Sequence, residues 1–206
     1  MSAKALMGKV VGIHDGDTIT FLPEGSQKKA KLRLLGVDTP EIDFNGASQG
    51  EVAEKAMSFL KELLPLNANI QIELPSSGGM DINGRYLGQI FYEKEGRKED
   101  LNLKMLQVGW GALYFIYPYD KKILVSYMNA TKEASEKGLG IFSEKYKTQP
   151  FAYMFRQQIK GVPGTNLVAD FETKKLYSSE DIESIPHYRR VFFSSEETAL
   201  IHGFNW

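Results

Sequence analysis

From residue 8 to residue 37, hydrophobic side chains recur with the two-residue spacing that is typical of β-strands. Two strands are predicted over Val10–Ile13 and Thr18–Leu22, and the turn dipeptide Asp15-Gly16 between them predicts a β-hairpin. A third strand is predicted over Lys31–Val37. The amino-terminal part of the chain is therefore expected to consist of strands.

Beyond residue 47 the apolar spacing changes to that of α-helices. Ser48 and Glu51 have the spacing of a capping box, and the helix that they introduce is expected to end before Pro65. Four further elements follow: strands over 70–74 and 87–92, a helix over 101–108 with Asp100 as its N-cap, and a helix over 121–137. Five strands with three helices predict an α+β, mainly β fold, namely a five-stranded OB-fold barrel with flanking helices.

The composition shifts after Glu144, and the remaining residues are too few to bury much of a core alone. We therefore divide the chain into an OB-fold domain over 8–145 and a C-terminal extension over 146–206, of unassigned role and expected to form a small β-β-α module. The predicted elements of the extension are a linker at Gly161-Val162-Pro163-Gly164, strands over 174–177 and 190–193, and a helix capped by Ser194 and Glu197.

The overall composition restricts the chemistry of the protein. The 206 residues contain no cysteine, which excludes disulfides, thiolate zinc sites, iron–sulfur clusters and cysteine nucleophiles. Basic residues number 25 and acidic residues 26, so no broad basic field attracts nucleic acid. A local basic site or a bound metal would still allow a nucleic-acid enzyme. No apolar run reaches the roughly 18 residues of a membrane span.

Charged residues cluster in short segments that each also have a purely structural interpretation. Asp15-Gly16-Asp17-Thr18 and Asp81-Ile82-Asn83-Gly84-Arg85 contain turn-forming dipeptides, and Asp38-Thr39-Pro40-Glu41 also suits the exit of a strand. Neither Asp15 nor Asp81 begins an EF-hand loop, because the required glycine and final acidic residue are missing. A metal bound by these carboxylates would therefore need ligands from two separate segments.

Arg33 is the most informative single residue, because it lies in an otherwise apolar strand flanked by leucines. Burying an unpaired guanidinium is costly, so Arg33 is expected to be paired or to face a functional cleft. Five charged side chains would together suit phosphoryl transfer, in which carboxylates hold a hard cation, arginines bind phosphate oxygens and one carboxylate orients or deprotonates water. These are Arg33, Arg85, Asp17, Asp38 and Glu41.

The chain from about residue 8 to residue 144 resembles the staphylococcal-nuclease-like family, also called thermonucleases. Each matching segment alone is a weak signal, but their common order and similar spacing make the set specific. The resemblance implies a five-stranded OB barrel with three helices, in agreement with the pattern of apolar positions. The matching segments are Asp15-Gly16-Asp17-Thr18, Arg33-Leu34-Leu35-Gly36-Val37-Asp38-Thr39-Pro40-Glu41, Gly84-Arg85 and Gly138-Leu139-Gly140-Ile141-Phe142.

The resemblance implies a calcium-dependent nuclease that hydrolyses DNA and RNA, prefers single strands and leaves 3′-phosphate ends. Asp17 and Asp38 match the family's calcium-binding carboxylates, and Thr39 matches a ligand that acts through its backbone carbonyl. Family members are most often exported, so the resemblance also implies a secreted or periplasmic protein. The amino-terminal residues lack a signal peptide's apolar region, and a chain trimmed at its processing site would look the same.

The resemblance assigns roles to five further side chains. Glu41 matches the residue usually given as the general base for the attacking water, and Arg33 and Arg85 match arginines that bind the scissile phosphate. Phe115 and Tyr117 fall on positions whose rings stack on a nucleotide base, with Phe115 in place of a tyrosine. An aromatic run of this kind also suits a hydrophobic core, and both interpretations stay open.

Two other functions are compatible with the same fold. A domain that has lost catalysis would serve as a catalytically weak or inactive nucleic-acid-binding module, but the presence of all five charged side chains favours the enzyme. A purely structural OB domain would require that set to be a coincidence. DNA and RNA are the expected partners, and the sequence implies neither a membrane nor a protein partner.

Overall fold

The computed structural model describes residues 4–75, 79–161 and 167–206. Before residue 146 the strands are β1 (Lys4–Ile13), β2 (Thr18–Pro23), β3 (Ala30–Leu34), β4 (Gly36–Asp38), β5 (Asn69–Leu74), β6 (Tyr86–Lys94), β7 (Arg97–Asp100) and β8 (Ala112–Tyr114). One sheet has the order β3-β2-β1-β5-β6-β7, and an additional parallel pairing of β3 with β6 closes five of these strands into a barrel. The predicted OB-fold barrel is therefore confirmed.

Three helices flank the barrel, as predicted: α1 (Glu51–Leu63), α2 (Leu101–Gln107) and α3 (Lys121–Glu136). Asp100 caps α2 by accepting a hydrogen bond from the backbone N–H of Leu103, which confirms that prediction. The capping box predicted for α1 is wrong. Gly50 is the N-cap and provides no side chain, while the Ser48 hydroxyl accepts a hydrogen bond from the backbone N–H of Gly50 at 3.0 Å.

The strand predicted over Lys31–Val37 is interrupted at Leu35, which separates β3 from β4. Gly36 adopts a φ of 75°, and a Cβ at this position would lie 2.3 Å from the Phe115 ring. Only glycine combines this backbone conformation with such a close approach. The chain consequently leaves the barrel at this point, and β4 pairs with β8 instead, with Asp38 opposite Ala112.

The extension is more regular than predicted. It contains α4 (Ala152–Lys160), β9 (Leu167–Asp170), β10 (Leu176–Tyr177), β11 (Arg190–Phe193) and α5 (Glu196–Ile201), of which α4 and β9 were not predicted. The three strands form a sheet of order β10-β9-β11. Ser195, not Ser194, caps α5. Gly161 ends α4, and the rest of the predicted linker lies outside the described residues.

The extension packs directly on the barrel domain. The backbone N–H of Phe192 donates to the carbonyl of Phe115, and the N–H of Tyr117 donates to the carbonyl of Phe192, both at 2.8 Å. Phe193 and Phe204 are buried in the same apolar cluster as the barrel core. The division of the chain at residue 145 stays a prediction. None of the helices in the described ranges is both long and apolar enough to cross a bilayer.

Candidate active site

Asp17 and Asp38 come together where β2 begins and β4 ends. Both are buried, with 2% and 1% of their surface exposed. The Asp17 carboxylate accepts hydrogen bonds from the Thr39 backbone N–H and the Thr18 hydroxyl, each at 2.9 Å. Its backbone carbonyl accepts from the N–H of Leu34 at 2.8 Å. Asp17 therefore ties the start of β2 to β3 and to the loop that follows β4.

Arg33 pairs with both carboxylates. It stands opposite Thr18 in the β2–β3 register, so its guanidinium lies beside the start of β2. Its Nη1 lies 3.0 Å from Oδ1 of Asp17, and its Nη2 forms an ion pair with Oδ1 of Asp38. Burial alone would lower the pKa of Arg33, but the two carboxylates outweigh burial and raise it. Arg33 therefore carries a fixed positive charge.

Glu41 lies at the edge of this cluster and is partly buried. Its backbone N–H donates to the Gln49 side-chain carbonyl at 3.0 Å, and its own carbonyl accepts from the backbone N–H of Gln49 at 2.9 Å. The loop before α1 thereby fixes the position of Glu41. Burial raises the pKa of the Glu41 carboxyl, although the neighbouring Arg156 acts in the opposite direction. A carboxylate with a raised pKa accepts protons more readily.

Arg156 in α4 is a member of this cluster that the sequence analysis missed. Its Nη1 lies 2.9 Å from Oδ1 of Asp38 and 2.5 Å from Oε1 of Glu41, and its Nη2 donates to Oδ2 of Asp38 at 3.0 Å. More than 110 residues separate it from these partners in sequence. The sequence did contain a signal for Arg156. Like Arg33, it is a single arginine next to aromatic and apolar residues, in the segment Tyr153-Met154-Phe155-Arg156.

Arg85 does not pair with the clustered carboxylates. Its Nε lies 2.7 Å from Oδ2 of Asp81, within the turn that precedes β6. The β3–β6 register places Leu87 opposite Arg33, and Arg85 lies two residues before Leu87, just ahead of β6. The structure thus brings together Arg33, Asp17, Asp38, Thr39 and Glu41, and it leaves Arg85 bound to its own turn.

The two aromatic residues expected to stack on a base differ in exposure, since Phe115 is buried and Tyr117 is partly buried. Phe115 is 1% exposed and packs in the core, with ring contacts to Tyr119 and Tyr127. This corrects the prediction for Phe115, because a buried ring offers no face to a nucleotide. Tyr117 is partly buried, and its ring stacks on Phe193 at 5.6 Å and lies 4.3 Å from that of His202. Residues of the extension therefore occupy the space beside Tyr117.

Asp15 adds a further carboxyl group to the site. Burial, followed by the charge of Asp17 and more weakly that of Glu41, raises the pKa of Asp15 to about 8. The charge of Arg33 and the hydrogen bond from the backbone N–H of Asp17, 2.8 Å from Oδ1 of Asp15, act in the opposite direction. The three carboxylates of Asp17, Asp38 and Glu41 outnumber the two arginines that pair with them, and this excess favours binding of a cation.

The donor atoms around Asp17 suit a hard cation, because they are all oxygen. Asp17 and Asp38 share one guanidinium partner, so their carboxylates face the same point. The buried hydroxyl of Thr39 has no hydrogen-bond partner among the described residues, and it lies close to Gly16. Within the described ranges, no group of three or more acidic or histidine side chains would hold a metal alone. A cation here would therefore need backbone carbonyl, water or phosphate oxygens as further ligands.

A cavity of about 280 Å³ adjoins Asp38 on the side of the extension. Pro40, Phe142, Phe151 and His187 are among the residues that line it. The cavity connects the buried charges with the contact between the barrel domain and the extension.

The OB barrel carries arginine-paired carboxylates where β2 begins and β4 ends, in agreement with the family resemblance of the sequence. The sequence model of the family described as staphylococcal nuclease homologue matches residues 31–144, more than half of the chain, and the chain belongs to this family. The recognition made from the sequence is thereby confirmed.

Several relatives have names that describe nucleases. The protein named "Endonuclease YhcR" of Bacillus subtilis is 30% identical over 205 residues, which cover 96% of this chain and 16% of that protein. An uncharacterized endonuclease of Haemophilus influenzae is 28% identical over 165 residues, 80% of this chain and 79% of that protein. The thermonuclease of Staphylococcus intermedius is 32% identical over 131 residues, 63% of this chain and 72% of that protein. The chain thus spans a small part of the Bacillus protein and most of the other two.

Proposed function

We propose that this protein is a calcium-dependent nuclease that hydrolyses phosphodiester bonds of DNA and RNA, prefers single strands and leaves 3′-phosphate ends. The observation that carries the proposal is the buried pairing of Arg33 with both Asp17 and Asp38, with Glu41 at the edge of the same cluster. Membership of the nuclease family and the names of the relatives support it. Export from the cytoplasm is part of the same proposal.

Asp17, Asp38 and the backbone carbonyl of Thr39 would hold the cation. When bound, calcium would supply positive charge that polarises the phosphoryl group. Arg33 is already fixed beside these carboxylates. Its five N–H donors exceed the needs of two carboxylate partners, so the guanidinium can also bind a nonbridging phosphate oxygen. Charge that is positioned in advance needs no reorganisation as negative charge develops on the phosphate.

Glu41 would accept a proton from the attacking water. The water oxygen forms a bond to phosphorus while the bond from phosphorus to the 5′ oxygen breaks, and the phosphate remains on the 3′ side. The 5′ oxygen leaves with a proton taken up from solvent. The raised pKa of Glu41 and its position beside Arg156 suit this role.

A second function, a nucleic-acid-binding module with weak or no catalysis, is favoured by one feature of the structure. Arg85, one of the two arginines expected on the phosphate, pairs with Asp81 instead. Of the two arginines predicted to bind the phosphate, Arg33 lies in the carboxylate cluster and Arg85 does not. Such a module would bind oligonucleotides without cleaving them.

The test is a digest of single-stranded DNA and RNA with calcium, with magnesium and with chelator, with product ends typed. Glu41→Gln keeps the size of the side chain and removes the proton acceptor, and we expect it to lower kcat by about 10²–10⁴-fold. Glu51→Gln is the matched control, because it removes an exposed carboxylate whose partner is Lys145. Thermal unfolding verifies that each variant is folded.

Three outcomes separate the possibilities. Calcium-dependent cleavage to 3′-phosphate ends that is lost only in Glu41→Gln supports the proposed enzyme. Equal cleavage by Glu41→Gln and the parent contradicts the role of Glu41. Tight binding of oligonucleotide by folded protein, without cleavage in either metal, supports the binding module instead.

A further inference from the structure

Helix α4 of the extension is anchored on the strand that pairs with β4. The Tyr153 ring stacks on that of Tyr114 with centroids 5.5 Å apart and planes 14° from parallel. Tyr114 stands opposite Gly36 in the β4–β8 register. One turn after Tyr153, the guanidinium carbon of Arg156 lies 5.8 Å from the centre of the same Tyr114 ring. Arg156 is therefore directed toward the end of β4 by packing as well as by charge.

Arg156 contacts the two carboxylates that have different roles in the proposed reaction. Its three contacts span 2.5 to 3.0 Å and join Asp38, a proposed cation ligand, to Glu41, the proposed proton acceptor. Burial alone would lower the pKa of Arg156, but Asp38 and Glu41 outweigh burial and raise it. The extension thus places a permanent positive charge inside the site.

Arg189, another arginine of the extension, forms ion pairs that only stabilise the extension itself. Arg189 also contacts two carboxylates, with Nη2 at 2.5 Å from Asp170 and Nη1 at 2.8 Å from Glu172. Both partners belong to the extension. Arg156 differs because both of its partners belong to the barrel domain and to the site described above.

Both oxygens of Asp38 accept contacts from arginines in this arrangement. Arg33 and Arg156 share Oδ1, and Arg156 also donates to Oδ2. A cation that binds Asp38 must therefore share the carboxylate with Arg156 or displace it. Glu41 contacts Nη1 of Arg156, the same nitrogen that contacts Oδ1 of Asp38.

We propose that Arg156 is a positioning residue of the nuclease site that the C-terminal extension supplies. It holds the Glu41 carboxylate in place and competes with the cation for Asp38. This inference rests on the proposed function. Its consequence is a pair of opposite effects: loss of Arg156 strengthens cation binding, because one positive charge disappears, and slows cleavage, because Glu41 is no longer held.

The test compares Arg156→Gln, Arg156→Lys and the control Arg189→Gln in the full chain. Calcium affinity is measured by titration calorimetry without nucleic acid, and kcat and KM are measured with a single-stranded oligonucleotide. For Arg156→Gln we expect kcat to fall about 100-fold, because the Glu41 carboxylate is no longer held in its reacting position. The change in KM should be smaller. We expect calcium to bind roughly tenfold more tightly, since a neighbouring like charge is removed. Arg156→Lys retains the charge and should recover part of kcat and the parental calcium affinity.

Each result supports or overturns the inference. Unchanged kcat and calcium affinity in Arg156→Gln would show that the residue only docks the extension. Faster cleavage by Arg156→Gln would show that Arg156 blocks the site and does not position it. If the parent binds calcium without cleaving, the proposed function fails, and the calcium affinity of the variants still decides whether Arg156 competes for Asp38. If Arg156→Gln does not fold, Arg156→Lys decides: parental kcat would contradict the need for a guanidinium that bridges two carboxylates.

Discussion

His187 shows how the surroundings of one residue set a pH dependence of stability. Its ring stacks on Phe142 with centroids 4.8 Å apart, and its buried Nε2 has no hydrogen-bond partner in the part of the chain that the structure describes. Burial, followed by the charge of Arg190, lowers the pKa of His187 from 6.5 to about 4. The folded protein therefore keeps this imidazole neutral under conditions in which the unfolded chain binds a proton.

The free energy of unfolding should consequently fall as the pH drops from 6.5 toward 4, by at most roughly 3 kcal/mol from this residue. The stabilising contribution is complete above the unfolded pKa and disappears as the pH approaches the folded pKa. His187→Phe keeps the ring stack and removes the titrating group. Urea unfolding of both proteins at pH 7.5 and pH 4.5 should show a smaller loss in the variant. An equal loss in both proteins would contradict the assignment to His187.

At the scale of the element, the break between β3 and β4 positions the charged residues. Arg33 precedes the break and Asp38 follows it, so the turn at Gly36 brings their side chains into contact. An unbroken strand over the predicted range 31–37 would have put Asp38, which follows it, at the far end of a straight segment from Arg33. The glycine at this break is therefore as important for the site as the charged residues themselves.

Gly36→Ala should destabilise the protein by about 2–5 kcal/mol, since backbone strain at a positive φ adds to a clash with a packed ring. The clash follows from the 2.3 Å between a Cβ at Gly36 and the Phe115 ring. Gly25→Ala is the matched control, because Gly25 has a φ of 73° and, apart from its chain neighbours, no described residue lies within 4 Å of an added Cβ. Chemical denaturation of both variants separates the packing cost from the backbone cost. Equal losses of stability would contradict the role given to the close approach.

At the scale of the whole molecule, the extension and the barrel domain are joined by shared buried apolar clusters. Phe192 is 3% exposed, and its ring lies 4.8 Å from that of Tyr114 and 5.3 Å from that of Tyr153. Its backbone joins the segment around Phe115 through two hydrogen bonds. An interface of this kind couples the unfolding of the two parts.

Phe192→Ala should lower the free energy of unfolding by about 3–5 kcal/mol, and the whole chain should still unfold in one transition. The two tryptophans, Trp110 in the barrel domain and Trp206 in the extension, provide separate probes. Trp206→Phe leaves a reporter for the barrel domain, and Trp110→Phe leaves one for the extension. Coincident urea midpoints from the two reporters are expected. Midpoints that differ would show that residues 146–206 unfold as an independent unit.

The sequence by itself determined the barrel and the special position of Arg33. Strand and helix spacing are local properties, so most elements before residue 145 were predicted within a few residues, although the short strands β7 and β8 were not predicted. An arginine in an apolar strand is expected to be paired or to face a functional cleft, and the structure pairs Arg33 with Asp17 and Asp38. Family resemblance then related these residues to one site, because their order and spacing reflect a shared topology.

Only the tertiary structure decided which side chains meet across long separations in the chain. Arg156 reaches Asp38 and Glu41 because α4 packs on Tyr114. The local sequence around Arg156 cannot predict a contact with residues so far away in the chain. Phe115 is buried because the glycine turn and α3 close over it, although an aromatic run suits a core and a binding surface equally. These contacts depend on packing between distant elements, and packing is a property of the folded chain as a whole.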